Sequence, residues 1–231
     1  MERTYYDHEG FYRKIKEEGG KSWEHLFDNP EPYHELIEFL RSNYCPEGRK
    51  AIDLGCGGGQ ASFMLFDKGF DVLGVEYAET AVEIAKGNAR NLGKSVDFRR
   101  GDILNLEGVT SESFDLVVDN HVSHCILPQD RPRYFSETSR LLKQGGIYFG
   151  SVMAVTDPFK PEDLEAMNLD PETRIHKKGN RFLVTEKEFM EELVLHGLFP
   201  LSIKKDNFDR PSYMDLTVYA KKKGFHQSKV Q

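Results

Sequence analysis

The stretch Arg49-Lys50-Ala51-Ile52-Asp53-Leu54-Gly55-Cys56-Gly57-Gly58-Gly59-Gln60 runs from a short apolar segment straight into glycine. It predicts a β-strand over Arg49 to Leu54 that ends in a loop where the backbone turns tightly and a ligand passes close to it. A second strand, Asp71 to Glu76, follows a helical segment from Gln60 to Lys68, and its last residue stands 23 positions after Asp53. A carboxylate at that neighbouring strand tip is placed to accept both hydroxyls of a ribose. The third glycine position of a dinucleotide-type loop is held by Gln60, yet strand, loop, helix and acidic strand tip together point to a nucleotide or nucleoside cofactor.

Outward from this unit the chain alternates between helix-like and strand-like segments. Helices are expected over Pro32 to Tyr44, Ala78 to Leu92 and Arg131 to Leu142, and strands over Val96 to Arg99, Phe114 to Asp119 and Gly146 to Val152. Such alternation argues for an α/β, Rossmann-like, doubly wound and mainly parallel sheet. Residues 156–182 carry three prolines and weak periodicity, so they read as an insertion lying over the sheet's edge near a substrate. Beyond them Thr185 to His196 has the pattern of a capped helix, with Thr185 and Glu188 as a capping box and Gly197 as its stop. Phe199 to Lys205 and Met214 to Lys221 complete seven strands as an antiparallel C-terminal pair. The domain thus spans 32–231, preceded by an N-terminal segment, 1–31.

Five motifs occur in order: the glycine loop, Val75-Glu76-Tyr77, Gly101-Asp102-Ile103, Phe114-Asp115-Leu116-Val117-Val118-Asp119 and Leu141-Leu142-Lys143-Gln144-Gly145-Gly146. In order and spacing they resemble the successive motifs of class I methyltransferases that use S-adenosylmethionine (SAM). The resemblance implies that Gly55 and Gly57 contact the methionine portion of SAM, that Glu76 holds the ribose and that Tyr77 packs on adenine. It also implies that Asp102 accepts from the adenine amino group beside the Ile103 backbone. A carboxylate suits that task because an exocyclic amine offers only donors. Asp53, Cys56, Gln60, Asp119 and Asn120 complete the implied cofactor set, and the product is S-adenosylhomocysteine (SAH).

Asp119-Asn120-His121-Val122-Ser123-His124 closes the fourth strand, where the acceptor meets the transferable methyl group in such a fold. His121 and His124 are three apart, so one helical turn sets both imidazoles on one side, and either can take a proton near neutral pH. Both are therefore catalytic candidates, and His124 is a substrate contact as well. The segment lacks the Asp/Asn-Pro-Pro-aromatic pattern of enzymes that methylate exocyclic base amines or glutamine amides, which points to a small-molecule acceptor at O, N or S. The N-terminal aromatics Tyr5, Tyr6, Phe11, Tyr12 and Trp23 suit a lid over a sulfonium, with Tyr6 and Trp23 as substrate contacts.

The 231 residues carry 31 Lys and Arg against 38 Asp and Glu, a net charge of -7 that argues against a nucleic-acid partner. No apolar run approaches the length of a membrane span, and a cytoplasmic monomer or homodimer is expected. Cys45, Cys56 and Cys125 form no CxxC pair, and the spacing suggests no metal site. Two other readings share the glycine loop: an NAD(P)-dependent oxidoreductase, and a SAM-binding protein without transfer activity.

Overall fold

In the computed structural model, which describes residues 7–20, 33–177, 181–206 and 212–224, strand β1 (Lys50–Leu54) lies at the middle of a mixed sheet. Two helices precede it, α1 (His8–Glu17) and α2 (His34–Arg41). After it come α3 (Gln60–Asp67), β2 (Asp71–Glu76), α4 (Glu79–Leu92), β3 (Asp97–Arg100), β4 (Phe114–Asn120), a 3-10 turn (Ser123–Cys125), α5 (Arg131–Leu141) and β5 (Leu142–Val155). The chain closes with α6 (Pro161–Ala166), β6 (Val184–Thr185), α7 (Glu186–Leu195), β7 (Leu198–Asp206) and β8 (Tyr213–Lys222).

The strand order is β3-β2-β1-β4-β5-β8-β7, with β6 added beside β5. β1 pairs in parallel with β2 and β4, whereas β8 pairs antiparallel with both β5 and β7. This is the doubly wound, mainly parallel architecture expected from the alternation of segments, with the antiparallel pair at its end. The order of successive strands reverses between the parallel neighbours β1 and β4, and such a switch point leaves a crevice at their carboxyl ends, where sheets of this kind bind ligands. Register brings Leu54 beside both Val75 and Asp119, so the tips of β1, β2 and β4 converge.

Helices cover both faces. Leu36, Phe39 and Leu40 of α2 pack with Leu65, Leu116, Val118, Phe149 and Tyr219 on one face. On the other, Tyr134, Phe135, Phe189 and Leu193 of α5 and α7 pack on Val117, Tyr148 and Leu216. Each fully buried side chain of this kind contributes roughly 1.5–3 kcal/mol relative to exposure.

Several boundaries differ from expectation. α2 is shorter than the 32–44 span, because the chain leaves helical geometry at Ser42, whose hydroxyl bonds back to the Phe39 carbonyl. β5 begins at Leu142, directly after α5, with an irregular register opposite Phe114 to Leu116 where Gly145 adopts φ +77°. The 156–182 segment holds α6, whose Leu164 packs with Leu169, Val155 and Leu183 beyond the end of β5. Thr185 and Glu188 form the reciprocal capping box read from the sequence. β6, two residues long, has too little chain for a period-two pattern.

Candidate functional site

The glycine loop is held from three sides. Cys56 donates its N–H to the Val75 carbonyl, Asn88 donates to the Gly58 carbonyl at 2.9 Å, and Gly57 donates to Glu76 Oε2 at 3.2 Å. Gly57 has φ +51°, and a Cβ there would fall 2.5 Å from the Tyr12 hydroxyl. Only glycine combines that backbone with that close approach. Gly55 (φ +64°) is equally confined, against Val122. Gln60 opens α3 directly behind Gly59.

Glu76 is buried at the tip of β2, where Oε1 accepts from the Ala78 N–H at 2.9 Å. One backbone donor per oxygen fixes the carboxylate and leaves further lone pairs for a diol. Burial raises its pKa. Asp53, almost fully buried, accepts from the Ser62 hydroxyl at 2.6 Å, and burial, with smaller contributions from Glu76 and Asp119, pushes its pKa up to about 7. Tyr77 is 61% exposed, an apolar ring left beside the cleft. Asp102 Oδ1 accepts from the Leu104 N–H at 2.9 Å, and half-buried Ile103 packs on the core.

At the tip of β4, Asp119 is fully buried and engaged with the protein: Oδ1 accepts from the Val122 and Ser123 N–H groups and Oδ2 from the Tyr148 hydroxyl at 2.7 Å. It shapes the turn that carries the two histidines. Asn120 Oδ1 is a buried acceptor with no partner among the described residues. His121 takes φ +63°, its N–H donating to the Ser151 carbonyl, and its ring meets the His124 ring at 5.7 Å between centroids.

The two imidazoles therefore lie together, but in different environments. His124 is 3% exposed, and burial, with His121, Arg181, Arg131 and His8 nearby, pushes its pKa well below the usual histidine value. It stays neutral, with Nδ1 accepting from the Met153 N–H. His121 is only half-buried and reaches the Ser151 hydroxyl at 3.4 Å.

Some residues at this end are invisible to spacing in the chain. Glu35, His121 and Asp215 each bring a possible ligand atom within 4.8 Å of one another. Arg181 is 28 residues from Met153 in the chain, yet its Nη1 lies 3.7 Å from Met153 Sδ. Tyr6 and Trp23, the aromatics expected to touch substrate, lie outside the described residues, as does Tyr5. Tyr12 instead is the N-terminal aromatic seen at the cleft, carried on α1, which is tied to α4 by Glu9, whose carboxylate accepts from the Thr80 N–H and hydroxyl.

Residues 52–150 match the model of a family described as a methyltransferase domain. The match supports reading this part of the chain as a class I SAM-dependent methyltransferase domain. This domain is similar to the ubiquinone biosynthesis O-methyltransferase of Hahella chejuensis, 33% identical over 37% of this chain and 38% of that protein. It is also similar to the ribosomal protein L11 methyltransferase of Dictyoglomus turgidum, 35% identical over 50% of this chain and 36% of that one. The alignments span 36% to 60% of the length of the curated relatives that the chain matches.

Among solved structures, the 1,6-didemethyltoxoflavin N1-methyltransferase of Burkholderia thailandensis, bound to its substrate and SAH, gives a TM-score of 0.68 at 18% identity, covering 93% of this chain and 87% of that one. The geranyl diphosphate C-methyltransferase of Streptomyces coelicolor gives 0.67 at 18% identity, covering 81% and 77%. At these identities the two establish the shared methyltransferase fold. Among the described residues, no helix is long and apolar enough to cross a membrane.

Proposed function

We propose that this protein transfers the methyl group of SAM to a small-molecule acceptor and releases SAH. The observation that carries the reading is Glu76, a buried carboxylate fixed at the β2 tip by the glycine loop's own Gly57 N–H, with lone pairs left for a ribose diol. The residues present fit a nucleoside cofactor: a glycine loop that a Cβ would obstruct, an exposed Tyr77 ring to cover adenine and Asp102 to accept from its amine. Cys56, Gln60 and Asp53 support the loop from within and below. SAM supplies a methyl carbon already activated by its sulfonium. The chain's residues then have to align the acceptor and exclude water.

In this reading α1 acts as a lid, with Tyr12 over Gly57. The acceptor lies at the tips of β4 and β5. His121 is the imidazole open to it, while neutral His124 props the floor and Asp119 holds the turn. Residues 156–182 border the same end through Arg181. The net charge of -7 favours a small molecule over nucleic acid.

Isothermal titration with SAM, SAH and NAD(H), on the wild type and on Glu76→Ala, tests the assignment. SAM and SAH should bind, and the substitution should weaken both by about 100-fold through loss of charge-assisted hydrogen bonds. Binding of NAD(H) alone would overturn the reading in favour of an oxidoreductase. Tight SAH binding with no turnover across acceptor panels would leave a SAM-binding protein without transfer activity.

A further inference from the structure

Among the described residues, four arginines are at least half withdrawn from solvent: Arg131, Arg140, Arg174 and Arg181. Three of them are neutralised by a carboxylate. Arg131 pairs with Glu192 at 2.6 Å, Arg140 with Glu137 at 2.9 Å and Arg174 with Glu188 at 2.5 Å. Arg181 has no carboxylate within ion-pair distance among the described residues, and the polar atom its guanidinium meets is Met153 Sδ at 3.7 Å. A thioether is a weak acceptor, whereas a guanidinium has five N–H donors. A charge partly taken out of water against so poor a partner is destabilised, and an anion at the same place would offset that cost.

The backbone fixes where that charge sits. The Arg181 carbonyl accepts from the His176 N–H at 2.7 Å, and the next residue, Phe182, donates its N–H to the His124 carbonyl at 2.8 Å, which pins Arg181 against the histidine turn. Met153 in turn donates its N–H to His124 Nδ1. Burial holds His8 and His124 below the usual histidine pKa, and Arg181 adds to the effect at both, so neither imidazole adds a full charge near neutral pH. Arg131 is paired with Glu192, and Asp119 is engaged by two N–H groups and the Tyr148 hydroxyl. Glu35 and Asp215 gather at His121, outside ion-pair distance of Arg181. Arg181 thus supplies one unbalanced positive charge beside the turn. One charge matches a carboxylate, whereas a phosphoryl group, with nearly two negative charges at neutral pH, would remain partly uncompensated.

We propose that the methyl acceptor carries a carboxylate group and that Arg181 binds it through its planar fork of N–H donors. The proposal rests on the methyltransferase reading for the role of the bound molecule. Arg181 then holds one end of the acceptor and leaves half-buried His121 for the end that takes the methyl group. A site built to pair a charged group rejects the uncharged isostere, because its own donors are then left unpaired.

The test uses the full chain, with and without saturating SAH, titrated to millimolar concentrations with benzoate, benzamide and phenyl phosphate, and with butanoate and butanamide, by ligand-observed NMR. Each carboxylate should bind at least about 10-fold more tightly than its amide. The preference should vanish in Arg181→Met, with circular dichroism unchanged and SAH affinity by calorimetry within about threefold of the wild type. Arg181→Lys keeps the charge and loses the fork, so it should retain the preference at weaker affinity, which keeps the test decisive should Arg181→Met not fold. Absence of carboxylate binding, amides bound as tightly as the acids, tighter binding of phenyl phosphate, or an unchanged preference in Arg181→Met would each overturn the proposal. Carboxylate binding through Arg181 without SAH binding would sustain the anion site while removing its methyltransferase role. SAH binding without a carboxylate preference would overturn the anion site and leave the methyltransferase reading standing.

Discussion

The tips of β1 and β2 draw their polar groups from one unbroken span of chain, Asp53 to Asp102, and nearly every one is anchored by a backbone N–H or a near neighbour in sequence. The tips of β4, β5 and β8 draw theirs from residues 35, 121, 124, 181 and 215, brought together only by the folded sheet. The first end is therefore preorganised by local geometry, and the second depends on tertiary contacts made late in the chain. A cofactor common to many proteins suits the first kind of construction, and an acceptor particular to one protein suits the second.

The difference can be broken most forcefully at Arg131. Its guanidinium is 1% exposed, bonded to both oxygens of Glu192 at 2.6 and 2.7 Å and to the Ser123 carbonyl, and it lies over the Phe135 and Phe182 rings. It joins the histidine turn to α7. Arg131→Ala removes one partner of this ion pair and opens a void, so stability to urea should drop by about 3–5 kcal/mol. In the fraction that stays folded, SAH affinity should remain within about threefold, since Arg131 touches nothing at the β1 and β2 tips. An equal collapse of SAH affinity would show that the two ends are one cooperative unit.

The same contrast explains what could be read from the chain. The glycine loop, Glu76 and the Thr185–Glu188 capping box are short-range patterns, and the strand-loop-helix order around them was legible because each step is local. His121 and His124 were placed together by their spacing of three, although a left-handed His121 and a 3-10 turn, not an α-helical turn, bring their rings to 5.7 Å. Nothing in the spacing distinguishes a buried His124 from a half-open His121, because that difference comes first from burial in the fold, with Arg181 and the Met153 N–H brought beside His124 from remote positions in the sequence. Glu35 and Asp215 were out of reach for the same reason: 180 residues separate them, and only the β5–β8 ladder and the packing of α2 bring them to one place.

A smaller effect separates the two ends by pH. Asp53 belongs to the β1 tip, and its folded pKa of about 7 lies above the ordinary value of 3.8. The folded protein therefore holds this proton more tightly than the unfolded chain does. The resulting contribution is fully present below about pH 4 and is lost as pH rises through about 7, with Glu76 shifted in the same direction. Between pH 5 and 8 the wild type should lose about 2–3 kcal/mol from Asp53. Asp53→Asn keeps an oxygen for the Ser62 hydroxyl and should flatten that slope. An unchanged slope in chemical denaturation across this range would show that Asp53 is already ionised at pH 5 and that the β1 tip tolerates the charge.

The smallest effect asks to which end α1 belongs. Its Tyr12 and Ile15 pack on Ala78 and Ala81 at the start of α4, Glu9 accepts from Thr80, and Lys16 pairs with Glu83 on the surface. All of these partners lie on the cofactor side, although His8 of the same helix lies near enough to His124 to bear on its charge. Thr80→Val removes the hydroxyl donor at 2.6 Å while keeping the side-chain volume, at a cost of about 1 kcal/mol, most of it in the docking of α1. Amide exchange over residues 8–17 should quicken by about fivefold and SAH affinity should weaken by a similar factor, since Tyr12 would leave Gly57 whenever α1 detaches. Faster exchange with unaltered SAH affinity would mean that α1 closes only the acceptor end, and that the cofactor end is complete in β1, β2 and their loops alone.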